Sequence, residues 1–204
     1  MSKKPIIVFE GIEGSGKSHH ISVVSRYLKK KKISHIKIRE PGGNPNSEKI
    51  RNLILNNKSN FNKDTDLLLY MAARSENINI IKRSFNKKII LIDRFTDSTI
   101  AYQHYGMGVD LNLIETLNKH LLKNIKVSFT FLNVVNKKNL QKRLKQRKSL
   151  NRYDKFKMSF YNKVQKGFLN LSKKQKNKYQ LINSNLDINK NEKLILDKID
   201  RLIK

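Results

Sequence analysis

The chain has 204 residues, enough for one α/β domain with a full core and too few for two large ones. It contains no cysteine, which rules out disulfides and cysteine-ligated zinc, and no run of about 18 apolar residues that would mark a spanning helix. Its formal net charge is +28, which invites a nucleic-acid reading. The lysines are spread along the chain, however, and accompany abundant asparagine and isoleucine, as AT-rich coding favours. Affinity for polyanions is therefore expected as a by-product of the field, without a specific nucleic-acid partner. Met1-Ser2-Lys3-Lys4 leads straight into an apolar run. Neither a signal peptide nor a membrane span is expected, and a cytoplasmic location is.

Ile6-Ile7-Val8-Phe9 is apolar at every position, as a strand buried on both faces should be. Gly11, Ile12, Glu13, Gly14, Ser15, Gly16, Lys17 and Ser18 follow and fit G-x-x-x-x-G-K-[ST], the phosphate-binding loop. From His19 to Lys32, apolar residues at Ile21, Val24 and Leu28 predict a helix. The loop thus lies between a strand and a helix N-terminus, where backbone N–H groups and the helix dipole attract phosphate. Lys17 can then reach the β- and γ-phosphates, and Ser18 can ligate Mg²⁺.

Ile36-Lys37-Ile38 reads as a short second strand running into a turn, Arg39-Glu40-Pro41-Gly42-Gly43. Ser47 to Asn56 is predicted helical, with Ile50, Leu53 and Ile54 on one face. A longer helix opens at Asp64, taken as its cap. It carries Tyr70 and Arg74, four apart and so neighbours. They read either as an ordinary amphipathic face or as an aromatic and a guanidinium for a base. Ile89-Ile90-Leu91-Ile92-Asp93 has the form of a Walker B strand, whose carboxylate helps to hold Mg²⁺, directly or through water. Arg94 follows, well placed for a bidentate phosphate contact.

Asp97 to Tyr105 is predicted helical and broken at Gly106-Met107-Gly108, and Leu111 to Leu122 is a further helix. A strand at Val127 to Leu132 and a basic helix at Asn136 to Arg147 come next. The cation-rich segment from Lys145 to Lys157 reads as a solvated surface or as a lid that brings arginines onto a phosphoryl group. Phe156, Phe160, Val164, Phe168 and Leu171 stripe the next helix as core. Tyr179 to Ile182 is the last strand, and Glu192 to Ile203 the last helix. The expected fold is a P-loop three-layer α/β sandwich in one domain spanning residues 1–204, with a five-stranded parallel sheet and a short basic lid. Five of the sixteen acids (Glu10, Glu13, Glu40, Asp93 and Asp97) fall at strand ends, the side where such sheets bind ligands.

Four pieces resemble bacterial thymidylate kinases in order and spacing. They are Phe9-Glu10-Gly11 through Lys17-Ser18, Arg39-Glu40-Pro41-Gly42-Gly43, Ala72-Ala73-Arg74, and Asp93-Arg94-Phe95 with Ser98 and Ala101-Tyr102-Gln103. The resemblance covers roughly residues 5–185. It implies transfer of the ATP γ-phosphate to dTMP, giving dTDP and ADP, with Mg²⁺ and commonly as a homodimer. By position, Lys17 and the loop would hold the ATP phosphates and Arg94 the dTMP phosphate. Arg74 would hydrogen-bond thymine, Tyr70 would stack on it, and Tyr102 would pack against the deoxyribose. Ser98 and Gln103 would line the thymine side, and Thr99 stands where base choice is tuned. Glu13 would lie near the sugar hydroxyl and the acceptor phosphate, and Glu40-Pro41, a candidate cis bond, would shape the floor of the acceptor site.

Glu13 in the loop, with Arg147 and Arg152 downstream, resembles members whose catalytic arginines come from the lid. Arg143 is left as an alternative to Arg147. Tyr70 stands where phenylalanine is more usual, Asn151 where aspartate is, and Met107 where an arginine is common. Another nucleoside or nucleoside-monophosphate kinase, a nucleic-acid-stimulated P-loop ATPase and a degenerate P-loop protein are the competing readings.

Overall fold

The structure, a computed structural model, describes residues 4–147 and 150–203. Residues 148 and 149 of the expected lid lie outside them. Five parallel strands form one sheet in the order β2-β3-β1-β4-β5: β1 Ile6–Glu10, β2 His35–Arg39, β3 Ile89–Asp93, β4 Phe129–Val134 and β5 Tyr179–Asn183. β1 is buried along its whole length. Because side chains alternate across a strand, Ile7, Phe9, Ile89 and Leu91 face α1 (Lys17–Lys30) and α8 (Ile188–Ile203). Ile6, Val8, Ile90 and Ile92 face α3 (Lys63–Ser84) on the other side. The three-layer arrangement follows from that alternation, and the expected parallel α/β sandwich is the one observed.

Several boundaries move for physical reasons. α1 starts at Lys17 because Gly16, at φ +91°, turns the loop directly into it. α2 spans Pro45–Leu55. The cap of α3 is Asn62, not Asp64: its side chain accepts from the N–H groups of Asp64 and Thr65 at 3.1 and 2.8 Å. Asp64 instead lies in the first turn, where a carboxylate suits the helix dipole. β4 ends two residues beyond the apolar run, and α8 opens at Ile188, with Asp187 accepting from the N–H groups of Asn189 and Lys190.

The expected helix from Asp97 is one α-turn, α4 (Thr96–Thr99), that widens into a π-helix over Ile100–Gly106. The Met107 N–H reaches the Tyr102 carbonyl at 3.0 Å, a five-residue bond. α7 (Met158–Lys174) lies tightly along this segment; a Cβ on Gly106 or Gly167 would come within 2.6 Å of the Phe160 or Tyr105 ring. α5 (Leu111–Leu122) and α6 (Lys137–Lys145) complete the layers. No helix among the described residues is long and apolar enough to cross a membrane.

Asn62→Ala should lower unfolding free energy by about 1 kcal/mol, and Asp64→Ala by less. Urea unfolding of both variants checks the assignment, and an equal or larger loss in Asp64→Ala would contradict it.

Candidate active site

The strand order reverses direction at β1, and ligands bind beyond the carboxyl ends at such a point. The chain turns sharply there. Gly11 has φ +135°, and a Cβ on it would stand 2.3 Å from the Asn133 carbonyl oxygen, so only glycine fits. The loop is held from outside. Asn133 Nδ2 and Ser184 Oγ donate to the Ser15 carbonyl at 3.0 and 2.6 Å, and Arg143 Nη1 donates to that of Gly14 at 2.8 Å. Asn133 explains why β4 outruns its apolar pattern: the strand ends in a buried amide that supports the loop. Arg143, one of the two open lid candidates, also donates to the Ser184 carbonyl at 2.7 Å and so acts as a strut of the loop.

Lys17 is buried and donates to the carbonyls of Gly11 and Ile12 at 2.8 and 2.9 Å. Burial, with the Arg94 cation beside it, pulls its pKa down to about 8. Ser18 Oγ donates to Asp93 Oδ2 at 3.1 Å, joining the two motif residues. This pair of oxygen donors fits Mg²⁺, which is usually held by one or two protein oxygens, with substrate phosphates and water completing the shell. No group of three or more His, Asp or Glu suited to holding a metal is found among the described residues.

Arg94 is the residue on which the two sides of the site meet. Its backbone is left-handed, at φ +65°. Nη1 donates to the Gly11 carbonyl at 2.9 Å, Nη2 to Glu13 Oε1 at 2.8 Å, and the guanidinium lies 5.1 Å from the centre of the Tyr102 ring. Tyr102 in turn donates its hydroxyl proton to Glu13. Burial opposes the Glu13 charge, but Arg94 and Lys17 outweigh it and hold the carboxyl below its ordinary value. Behind Arg94, the buried Glu10 accepts from Ser98 Oγ at 2.5 Å and from the Phe95 N–H at 2.8 Å.

A cavity of about 220 Å³ opens between these groups, lined by Glu13, Gly14, Lys17, Ser18, Asp93 and Arg94 at the phosphate end. Glu40, Pro41, Tyr70, Ser98, Tyr102 and Gln103 line the remainder. The Glu40-Pro41 bond is cis. Arg147 also borders the cavity and pairs with Asp154.

Of the expected loop residues, Gly11, Ile12, Ser15 and Gly16 are not among those lining it, and neither are Arg74, Thr99 and Arg152. Arg74 is 1% exposed and stands behind the wall, donating to Glu40 Oε2 at 2.8 Å, Asn118 Oδ1 at 2.5 Å and Thr99 Oγ1 at 2.9 Å. Thr99 is buried with it. Arg152 is ion-paired with Asp66 of α3 and borders a separate cavity, beside Phe61 and Phe156. Conversely, Arg51 and Tyr153 line the site without having been singled out in the sequence, and Arg39, quoted there only as part of its turn, lines it too. Arg51 donates to the Pro41 carbonyl at 2.7 Å. It lies one turn beyond the buried Ser47, a polar face of α2 that the apolar positions obscured.

The family profile of thymidylate kinase matches residues 9–195. The chain belongs to the thymidylate kinase family. Within that family, it is 33% identical over 186 residues to the thymidylate kinase of Kosmotoga olearia, covering 90% of this chain and 89% of that one. With that of Thermosipho africanus it shares 39% over 173 residues, covering 84% and 86%. The crystal structure of the Ehrlichia chaffeensis thymidylate kinase superposes with a TM-score of 0.78 at 32% identity, covering 98% of this chain and 99% of that one. Membership makes the chain an ATP-binding kinase.

Burial, with Asp97 nearby, pushes Glu10 from its ordinary value near 4.5 up to about 7. The protonated form is therefore favoured in the fold. Its contribution to stability is complete below about pH 4.5 and is lost as pH rises through about 7. Glu10→Gln cannot titrate, so the stability gap, wild type minus variant, should fall from pH 5 to pH 8. Urea unfolding at both pH values reads it, and a gap that stays constant would contradict the protonation of Glu10.

Proposed function

We propose that the chain transfers the γ-phosphoryl group of ATP to a phosphate oxygen of dTMP, giving ADP and dTDP, for dTTP synthesis. The observation that carries this reading is Arg94, bonded to the Gly11 carbonyl of the donor loop while lining the cavity that the acceptor would fill. The P-loop amides and Lys17 would hold the donor phosphates. Arg94 would exchange its bonds to Gly11 and Glu13 for the dTMP phosphate, with Tyr102 below it. Tyr70 would supply a flat face for the base; burial pushes its phenol up to about 12, so it stays neutral.

Arg74 acts on the base from the second layer in this reading, through Glu40 and Thr99, and meets thymine only if one of those bonds opens. Arg147, which borders the cavity, would be the lid cation that meets the phosphates. Arg152 would have to leave Asp66 to join it.

Phosphoryl transfer needs positioning and charge compensation more than a protein nucleophile. The acceptor is already anionic, so no general base is assigned. Ser18 and Asp93 would hold Mg²⁺, which would supply neutralisation of phosphate charge. A homodimer and a cytoplasmic location follow from the family resemblance alone and belong to the same proposal.

ADP formation from ATP–Mg²⁺ should be concentrated on dTMP among dTMP, dUMP, dCMP, AMP, GMP and thymidine, and single-stranded DNA should not stimulate it. Preference for another acceptor, or stimulation by DNA alone, would overturn the assignment. Lys17→Ala and Arg94→Ala should each lower kcat/KM at least about a hundredfold. Arg147→Ala should lower kcat more than Arg152→Ala. Equal losses in the two would place Arg152 at the phosphates as well.

A further inference from the structure

We infer that Asp66 is a positioning residue that fixes the amide of Gln103, so that the site offers an acceptor oxygen to the N3–H of the base. This rests on the proposed acceptor being a nucleotide with the base in the Gln103 half of the cavity. Asp66 is 1% exposed, and among the described residues its carboxylate accepts from three donors. Tyr153 OH donates to Oδ2 at 2.6 Å, Gln103 Nε2 donates to the same oxygen at 2.9 Å, and Arg152 Nη2 pairs with Oδ1.

A carboxylate so placed can only accept. It therefore draws the NH₂ end of the Gln103 side chain towards itself, and the other end points elsewhere. Gln103 is fully buried, lines the cavity, and its Oε1 has no hydrogen-bond partner. A buried unsatisfied carbonyl oxygen costs about 1–3 kcal/mol until a donor meets it. Thymine and uracil carry a donor at N3, whereas cytosine carries a lone pair there. The same oxygen therefore attracts the first two and repels the third. Asp66 makes the choice without touching the base.

Replacing Asp66 by asparagine changes the rule. Its amide NH₂ can donate to Gln103 Oε1, so the glutamine can turn and present its own NH₂ to the ligand. The experiment is calorimetric binding of dTMP, N3-methyl-dTMP and dCMP to the full chain as wild type, Asp66→Asn and Asp66→Glu. Wild type should prefer dTMP over the other two by about thirtyfold. Asp66→Asn should shrink that preference to about threefold or less, and Asp66→Glu, which remains a pure acceptor, should keep most of it. An Asn variant that binds all three more weakly but keeps the wild-type ratios would show a merely structural Asp66 and overturn the inference. If the Asn variant does not fold, the wild type decides: equal affinity for dTMP and N3-methyl-dTMP would overturn the acceptor role of Gln103. ADP formation with dTMP, measured on the same wild-type preparation, tests the underlying reading separately.

Discussion

The Arg94 guanidinium joins the end of β3 to the phosphate loop at the end of β1, and the rest of the site is arranged around that join. The backbone of Arg94 still takes part in the sheet, its N–H reaching the Phe9 carbonyl at 3.1 Å, while its φ of +65° throws the side chain back over Gly11. A left-handed non-glycine residue costs about 1–3 kcal/mol. Glu10 offsets this by gripping the next turn through Phe95 and Ser98. Each such bond to a carboxyl is worth about 1 kcal/mol or more. The strain is therefore held by a buried group that has no place on the cavity wall.

Electrostatics explain why the join is suited to phosphate. Lys17, Arg51 and Arg94 line one cavity. Their mutual repulsion is visible in Lys17 and Arg51, both pulled down by burial and by neighbouring guanidinium groups. Glu13, held by the Tyr102 hydroxyl, compensates part of that charge, and a phosphate would compensate more of it. The pocket is thus built to be neutralised by its ligands. The +28 of the whole chain is a different matter, since most of those cations sit on exposed helix faces and ends.

What could be read in advance divides along the same physical lines. β1, β3 and the loop between β1 and α1 were legible because buried parallel strands are continuously apolar and glycine is required where the backbone bends back on itself. Asn133 was not, because a polar residue at the end of an apolar run looks like the end of the strand; its reason to be buried, the Ser15 carbonyl, lies 118 residues away in sequence. Arg74 read as either an ordinary surface arginine or a guanidinium for a base, and is instead consumed by three partners from three other segments. The π-helix gave no sign, since its apolar spacing differs from an α-helix by a single wide turn. Arg152 was legible as a lid cation but not as the partner of Asp66, an ion pair between positions 86 residues apart. Local pattern thus located the phosphate chemistry. The network that positions the acceptor side depends on contacts that no local pattern encodes.

One cavity is proposed to hold the donor and acceptor phosphates together, excluding water as the acceptor. A single turnover with γ-labelled ATP, enzyme in excess and dTMP present, tests it most directly. The label should appear in dTDP, with little in inorganic phosphate. Label released mainly as inorganic phosphate would mean that the loop hydrolyses ATP without delivering it across Arg94, and the account would fail at its centre.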